Sequence, residues 1–208
     1  LPHTSNEIWT LTRFKLNYNI LTFQSNPYTS MKNTTPTHLE PIAKVDEVII
    51  VMAQKSELNN IVEIYNWAIK NTSATFDTEE KSVSSQLNWF NSHDKEFPIV
   101  VAKKSDRVIA FGSISKWSDR CAYSGTGEIS FYVHPSFHGQ GVGTKILEKL
   151  VDIGHKNNFR TLVSRIGGKS EASIHLHKKF GFSDIGTMKS VGNKFDEIID
   201  VHLMQILF

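Results

Sequence analysis

From about Val48 onward, hydrophobic residues follow the spacing that is typical of strands and helices. Residues 1–44 show little such periodicity. Short apolar runs predict buried strands, and apolar residues three or four positions apart predict helices that bury one face. The predicted strands are 48–53, 98–103, 108–117, 129–133, 161–166 and 198–208. The predicted helices are 58–68, 84–93, about 143–156 and 170–180. The order β-α-α-β-β-β-α-β-α-β predicts an α/β domain, in which one mixed sheet is flanked by helices.

Turn residues mark two of the boundaries between these elements. Ser105 and Asp106 separate two predicted strands and indicate a hairpin. Gly181 follows the last predicted helix, at the position where a residue in the left-handed conformation commonly ends a helix. Both signals agree with the element order above.

Residues 1–44 differ from the rest of the chain in composition. They are rich in Asn, Thr and Ser, and four prolines interrupt them: Pro2, Pro27, Pro36 and Pro41. The chain begins with Leu rather than Met, and Met31 is one candidate for a native start. We therefore expect an irregular N-terminal extension over 1–44, with a short strand or hairpin packed on the domain as the alternative.

Composition narrows the class of protein further. A length of 208 residues suits one domain with an extension, and a net charge of +2 without a long basic run gives no sign of a nucleic-acid surface. The single cysteine, Cys121, excludes an internal disulfide. We find no apolar run of about 18 residues and no secretory signal pattern, so we expect a soluble cytoplasmic protein.

The glycine-rich loop after the fourth predicted strand carries the most chemical information. Gly139, Gly141 and Gly143 occupy every second position of a loop that follows the apolar run 129–133 and precedes an amphipathic segment. The apolar face of that segment carries Ile146, Leu147, Leu150 and Val151. Backbone N–H groups in such a loop, together with the partial positive charge of a helix N-terminus, favour a bound pyrophosphate.

The spacing of the loop excludes the common nucleotide motifs. A Walker loop ends in Gly-Lys-Ser/Thr, whereas Gly143-Thr144-Lys145 has the last two residues inverted. The dinucleotide fingerprint G-x-G-x-x-G also fails, because its last spacing is missing here. A glycine-rich turn without a ligand is the alternative, although three alternating glycines raise the entropy cost of folding.

Several sequence blocks together resemble one enzyme family. Strand, glycine loop, helix, strand and a helix ending in Lys179-Phe180-Gly181-Phe182 resemble the acetyl-CoA-binding half of the GNAT N-acetyltransferases. The blocks that are similar to the phosphinothricin acetyltransferase branch are 64–76, Trp117 to Glu128, Phe131 to Pro135, Leu176 to Phe182, and Val191 to Gln205. The resemblance runs from about Val48 to the C-terminus.

The resemblance implies a fold, a reaction and an assembly. The fold is the GNAT fold over residues 45–208, with a mixed, mostly antiparallel central sheet flanked by helices. The reaction transfers acetyl from acetyl-CoA to the α-amino group of an amino acid or analogue such as phosphinothricin, methionine sulfone or methionine sulfoximine. Relatives are commonly homodimers, so a homodimer is expected here.

The chain departs from the family pattern at three positions. His138 stands where relatives have Arg or Gln, although an imidazole can still donate to a phosphate. Ser170 stands where an Asn contacts the cofactor in relatives. The segment Asp196 to Asp200 lacks the Trp that relatives carry there. These changes leave acetyl-CoA as the expected co-substrate.

By the same resemblance, Glu128 is the general base, directly or through water, and His177 protonates the leaving thiolate. Acetyl transfer needs both roles, together with donors for the oxyanion. A surface carboxylate and a histidine that only packs locally are the alternatives. The residues expected to hold acetyl-CoA are Phe131, Tyr132, Val133, His138, Gly139, Gln140, Gly141, Val142, Gly143, Thr144 and Ser170.

The acceptor site is expected to bind an anionic group of the substrate and to be walled by aromatic side chains. Arg120 can bind a carboxylate or phosphinate through two parallel hydrogen bonds, with an exposed loop arginine as the alternative. Trp117, Phe76 and Tyr123 are the aromatic candidates, although aromatic residues more often belong to a core. Lys194 is a further anion-binding candidate, against a solvated loop lysine.

Other kinds of site and function are less well supported. His175 and His177 lie two positions apart on a predicted helix and point to different sides, so we expect no metal site. Direct transfer to an amine needs no nucleophilic Cys121. Acetylation of a polyamine, an aminoglycoside or a protein N-terminus stays open, as does a non-catalytic acetyl-CoA-binding module.

Overall fold

A seven-stranded sheet with four helices forms the part of the chain that the computed structural model describes, residues 47–168 and 170–208. The strands are β1 (Ile49–Met52), β2 (Ile99–Lys104), β3 (Arg107–Lys116), β4 (Thr126–Val133), β5 (Thr161–Gly167), β6 (Ser183–Lys194) and β7 (Glu197–Leu207). The helices are α1 (Leu58–Asn71), α2 (Val83–Asn91), α3 (Val142–Lys156) and α4 (Glu171–Lys179). The extension predicted over 1–44 lies outside the described residues.

The strand order is β1-β2-β3-β4-β5-β7-β6, and only β4 and β5 pair in parallel. The prediction of a mixed, mostly antiparallel sheet flanked by helices is therefore confirmed. The parallel pair needs a crossover connection, and α3 supplies it.

Both faces of the sheet are covered at β2, which explains the continuous apolar run in this strand. Val100 and Ala102 belong to the core cluster that includes Ile146, Leu147 and Leu150 of α3. Ile99 and Val101 belong to the cluster that includes Ile61 and Ile64 of α1. Alternate residues of one strand thus enter two different cores, because successive side chains point to opposite faces.

The turn signals in the sequence are confirmed. Ser105 and Asp106 have φ values of 47° and 63°, as a tight hairpin turn with two left-handed residues requires. Gly181 has φ 88° directly after α4 and Phe180. Helix boundaries agree with the prediction to within a few residues.

The prediction of six strands is wrong, because it leaves out β6. This strand lies at the edge of the sheet, where it pairs with β7 alone. Most of its side chains are exposed, and two register irregularities interrupt its pairing. Its sequence contains Gly186 and Gly192 and does not alternate between apolar and polar residues, so the period-2 signal of a half-buried strand is missing.

Two kinds of feature are absent from the described residues. No helix there is both long enough and apolar enough to cross a membrane. Within residues 47–168 and 170–208 there is no group of three or more His, Cys, Asp or Glu side chains that could hold a metal ion.

Candidate active site

A cleft opens where β4 and β5 separate. Their pairing ends at Ile129 and Ser164, whereas β4 continues to Val133 and β5 continues to Gly167. The separated strands border a cavity of about 890 Å³. Its lining includes Glu128, Phe131 and Tyr132 from β4, Arg165 and Gly167 from β5, and Ser170 and His177 from the α4 region.

Glu128 lies in this cleft and forms a bidentate ion pair with Arg165. Glu128 is opposite Val163 in the parallel register, so Arg165, two residues further, projects from the same face of the sheet. Nε of Arg165 lies 2.5 Å from Oε1, and Nη2 lies 2.8 Å from Oε2. The Glu128 side chain is 18% exposed and the Arg165 side chain 54%. The guanidinium carbon also lies 5.9 Å from the ring centre of Trp117.

Arg165 is the functional candidate that the sequence reasoning missed. It is the only charged residue of β5, and its neighbours Ser164 and Ile166 are both buried. A charged residue in such a run is the one signal that could have marked it, because charged groups are rarely placed between buried positions without a partner.

His177 is buried in α4, and its hydrogen bonds fix its tautomer. Nδ1 lies 2.7 Å from the main-chain oxygen of Ser173, so Nδ1 carries the proton and donates it. Burial lowers the pKa of His177, which favours the neutral ring. Nε2 is then a lone-pair acceptor, and it has no hydrogen-bond partner among the described residues. The ring can donate from Nε2 only after it takes up a second proton.

The free energy of unfolding is expected to decrease as the pH falls below about 6.5, the ordinary histidine pKa. Below that pH the unfolded chain binds a proton that the folded chain binds poorly at His177, so protonation favours unfolding. Above that pH His177 is neutral in both the folded and the unfolded chain, so its titration no longer lowers the free energy of unfolding. Chemical denaturation at about pH 7.5 and pH 5.5 measures the loss, which we expect to be smaller in His177→Gln.

Part of this pH dependence should remain in the variant, because burial also lowers the pKa of His93. A wild-type protein whose stability is unchanged between the two pH values would contradict the prediction. So would a loss that is as large in His177→Gln as in the wild type.

A hydrogen-bonded cluster forms another part of the wall of the cleft. The hydroxyl of Tyr65 donates to Oδ2 of Asp77 at 2.7 Å and lies 2.9 Å from Oγ1 of Thr75. Burial raises the pKa of Tyr65, so this hydroxyl stays protonated. Tyr65 and Asp77 also line a second cavity of about 170 Å³, whose lining includes Trp89 and Phe111.

The loop between α1 and α2 is held against β5 and the β6–β7 hairpin by close contacts. Phe76 packs against Gly192, where any side chain would overlap its ring. A Cβ atom on Gly167 would likewise overlap the main-chain oxygen of Ser73. Nζ of Lys194 donates to the main-chain oxygen of Thr75 at 2.7 Å. Glycine at two positions and one lysine thus fix the loop that carries Thr75, Phe76 and Asp77.

Lys194 is therefore not the solvated loop lysine that was the alternative in the sequence. The residue is 5% exposed, and burial lowers the pKa of its ammonium group. The same ammonium lies 5.1 Å from the ring centre of Phe195. Contact with an anionic substrate stays a prediction for this residue.

Arg120 and Tyr123 lie in an exposed turn between β3 and β4. Both side chains are exposed, and neither belongs to the lining of the 890 Å³ cavity. Phe76 lies in that lining, and Trp117 is linked to it through Arg165. The structure thus brings Glu128, Phe76 and His177 together at one cavity and leaves Arg120 outside its lining.

The glycine loop has the geometry of an anion cradle at the start of α3. Gly139 and Gly141 have φ values of 71° and 76°, a conformation that favours glycine, and a Cβ at either position would meet open space. Gly141 is the N-cap of α3 and has no side chain that could cap the helix. The first N–H groups of the helix therefore remain available to a ligand.

His138 enters this loop with one ring nitrogen already used. Nε2 lies 2.8 Å from the main-chain oxygen of Val133, to which it donates. The ring also contacts Trp67, with 5.5 Å between the ring centres. Nδ1 of the neutral ring is therefore an acceptor, and only a doubly protonated ring could donate from it to a phosphate.

Known proteins match both the sequence and the fold. The sequence profile of the acetyltransferase (GNAT) family matches residues 61–182. An L-amino acid N-acyltransferase of Escherichia coli strain K12 is 31% identical over 158 residues, which are 76% of this chain and 92% of that protein. An L-methionine sulfoximine/L-methionine sulfone acetyltransferase of Salmonella typhimurium has the same identity and coverage.

A solved structure supports the same assignment. A GNAT superfamily phosphinothricin acetyltransferase from Sinorhizobium meliloti, in complex with acetyl-CoA, is 31% identical and superposes with a TM-score of 0.75. The match covers 77% of this chain and 88% of that one. From the separated strands, the glycine cradle and these matches, we conclude that the chain belongs to the GNAT family and is an N-acetyltransferase that uses acetyl-CoA.

Proposed function

We propose that this enzyme acetylates the α-amino group of an amino acid or analogue, of the phosphinothricin, methionine sulfone or methionine sulfoximine type, by direct attack with Glu128 as the general base. The observation that carries the proposal is the Glu128–Arg165 ion pair in the cleft between β4 and β5. The ammonium group of an amino acid needs a hydrogen-bond acceptor, and its carboxylate needs hydrogen-bond donors. Glu128 offers the first and Arg165 offers the second. The names of the relatives agree with such an acceptor.

Acetyl-CoA, when bound, supplies the thioester carbonyl that the amine attacks. We propose that the residues that hold it are those of the loop His138 to Thr144, with Ser170 and the β4 segment Phe131 to Val133. The open backbone at Gly139 and Gly141 and the uncapped start of α3 fit a pyrophosphate. The unpartnered Nε2 of the buried His177 is a further polar atom that a ligand could satisfy.

The proposed oxyanion donor is a main-chain N–H of β4. Beyond Ile129 this strand pairs with β3 through Val133, whereas its pairing with β5 has ended. The N–H groups on the β5 side of this segment therefore have no neighbouring strand. Fixed main-chain donors at the site where negative charge develops are a strong source of catalysis in acyl transfer.

Glu128 and His177 have different roles in this proposal. The carboxylate of Glu128 holds the acceptor ammonium and takes its proton at Oε1 or Oε2, directly or through a water. His177 gives a proton at Nε2 only from the charged ring, which burial disfavours. We therefore expect His177 to contribute less to turnover near neutral pH than Glu128 does.

Replacing His138 by Ala is expected to weaken acetyl-CoA binding by about a few-fold, less than the loss of a full hydrogen bond to a charged group, because the single N–H of the neutral ring already donates to Val133. His138→Arg should bind equally well or more tightly, because a guanidinium is charged throughout the accessible pH range. Isothermal titration calorimetry with acetyl-CoA measures both variants. Unchanged affinity in His138→Ala would mean that the backbone cradle binds the pyrophosphate alone.

The acceptor class is tested with a coupled assay of thiol release. The purified protein and acetyl-CoA are offered phosphinothricin, methionine sulfone, methionine sulfoximine, spermidine, an aminoglycoside and a set of peptides. We expect turnover with the amino-acid analogues and little with spermidine, because Arg165 places a positive charge in the cleft. Turnover of a peptide or polyamine with none of the amino-acid analogues would refute the proposed acceptor.

We also propose a homodimer, and a cytoplasmic location remains a prediction. The edge strand β6, the β6–β7 turn and the start of β7 expose several large apolar side chains: Ile185, Met188, Val191, Phe195 and Ile198. An exposed edge strand with apolar side chains favours pairing with another chain unless it is covered. Sedimentation velocity at micromolar concentration distinguishes a dimer from a monomer.

A further inference from the structure

We propose that Arg165 determines the specificity of this enzyme, because it binds the carboxylate of the acceptor while Glu128 binds the adjacent ammonium group. The proposal rests on the function proposed above and adds to it the residue that reads the acceptor. The Glu128–Arg165 pair presents a negative and a positive group side by side, which is the charge complement of a zwitterionic α-amino acid.

Both groups keep hydrogen-bonding capacity while they remain paired. A guanidinium has five N–H donors, and Glu128 accepts from two of them, one on Nε and one on Nη2. Three N–H donors of Arg165 are left for an acceptor carboxylate. A carboxylate offers about four acceptor sites, so Glu128 can still accept from an ammonium group. The acceptor can therefore add to the ion pair without having to break it.

The position of Arg165 directs these remaining donors to the substrate. The side chain is 54% exposed and lines the cleft, so its unused N–H groups are accessible to a ligand. Arg165 is opposite Leu203 of β7, and β5 is paired along its whole length on that side. Glu128 is in turn opposite Ser115 of β3. Each partner of the ion pair is thus fixed by a strand that is anchored on its far side.

Trp117 limits the freedom of the guanidinium group. Its ring centre lies 5.9 Å from the guanidinium carbon, within the range of a cation–π contact. Together with the two hydrogen bonds to Glu128, this contact restricts the side chain to one region of the cleft. A donor fork that is already oriented loses less conformational entropy when it binds a carboxylate.

This arrangement discriminates between classes of amine. An α-amino acid can bond to both members of the pair, whereas its carboxamide loses the charged contact to Arg165. A polyamine brings a second positive charge close to the guanidinium, which is unfavourable. The anion-binding role that the sequence suggested for Arg120 is therefore assigned to an arginine on β5.

The test compares L-methionine sulfone with its carboxamide in the wild type and in Arg165→Gln. We expect the wild type to prefer the acid by about 10- to 100-fold in kcat/KM, the range of a hydrogen bond between charged groups. In Arg165→Gln the preference should fall to about twofold or less, mainly through a higher KM for the acid. Arg165→Lys, which keeps the charge but loses the planar fork, should be intermediate.

Two further variants separate the explanations. Arg107→Gln changes another exposed arginine, at the start of β3 and outside the cleft lining, and should keep the full preference. Arg120→Gln tests the rival arginine. Loss of the preference in Arg120→Gln but not in Arg165→Gln would overturn the proposal.

Other outcomes also overturn it, in ways that can be told apart. An equal loss of kcat for acid and amide in Arg165→Gln would mean that Arg165 only supports Glu128. A wild type that acetylates amino acids without preferring the acid, or a preference that Arg165→Gln retains, would refute the role of Arg165 and leave the proposed function intact. A wild type that acetylates spermidine and none of the amino acids would refute both.

Discussion

Glu128→Gln is expected to lower kcat near neutral pH by about 100- to 10,000-fold, the usual contribution of a positioned general base. Glutamine has nearly the same shape, but its amide cannot take a proton from the acceptor ammonium. Its NH₂ group would also face one donor of the Arg165 fork, which now bonds to both carboxylate oxygens. The coupled assay of thiol release with methionine sulfone measures the loss.

Binding must be separated from turnover in this experiment. Calorimetric affinity for acetyl-CoA should stay within about twofold of the wild type, because the glycine cradle lies at the start of another element, α3. Glu148→Gln, an exposed glutamate of α3, is the matched control and should keep full activity. A Glu128→Gln variant that retains more than about a tenth of the wild-type kcat would exclude Glu128 as the general base.

Gly167→Ala should lower the free energy of unfolding by about 1–3 kcal/mol, the usual cost of overpacking. The added methyl group would overlap the main-chain oxygen of Ser73, and a main-chain atom cannot rotate away as a side chain can. The loop would have to shift, and with it Thr75 and Asp77, which line the cleft. We therefore also expect a higher KM for the acceptor. Urea denaturation and steady-state kinetics measure the two effects.

Gly125→Ala provides the matched control for this substitution. The three atoms nearest to its new Cβ would all belong to the end of the Arg160 side chain, which is exposed and can move. Stability and acceptor KM should both stay close to the wild-type values. If Gly167→Ala is as stable as Gly125→Ala and has an unchanged KM, the loop is not fixed by this contact.

Local patterns predicted the parts of the fold in which burial and periodicity coincide. The glycine loop, α3 and the strand before the loop are visible in the sequence because Leu147 and Leu150 repeat at helical spacing directly after it. The strand β6 was missed because it buries little apolar surface. An edge strand of this kind is specified by its pairing with β7, which is a long-range contact and leaves no periodic signal.

The same distinction applies to the site. The position of Glu128 followed from the family resemblance of one continuous block, Trp117 to Glu128, whose spacing can be read directly from the sequence. Arg165 contacts Glu128 from the neighbouring strand, and the register of the β4–β5 pairing brings the two residues together. Lys194 reaches Thr75 across more than half of the chain. Contacts of this kind depend on tertiary packing, so residue type and spacing alone could not identify them.

The short seam between β4 and β5 has a mechanical consequence. Four residue pairs join these strands, from Thr126–Thr161 to Ile129–Ser164. β3–β4 and β5–β7, on either side, are each joined by seven. The β4–β5 seam is therefore shorter than the seams on either side of it. The two strands separate beyond Ile129 and Ser164, at the end where the cleft opens. A small rotation about this short seam would be amplified along the separated ends of β4 and β5, so we expect the width of the cleft to vary with it.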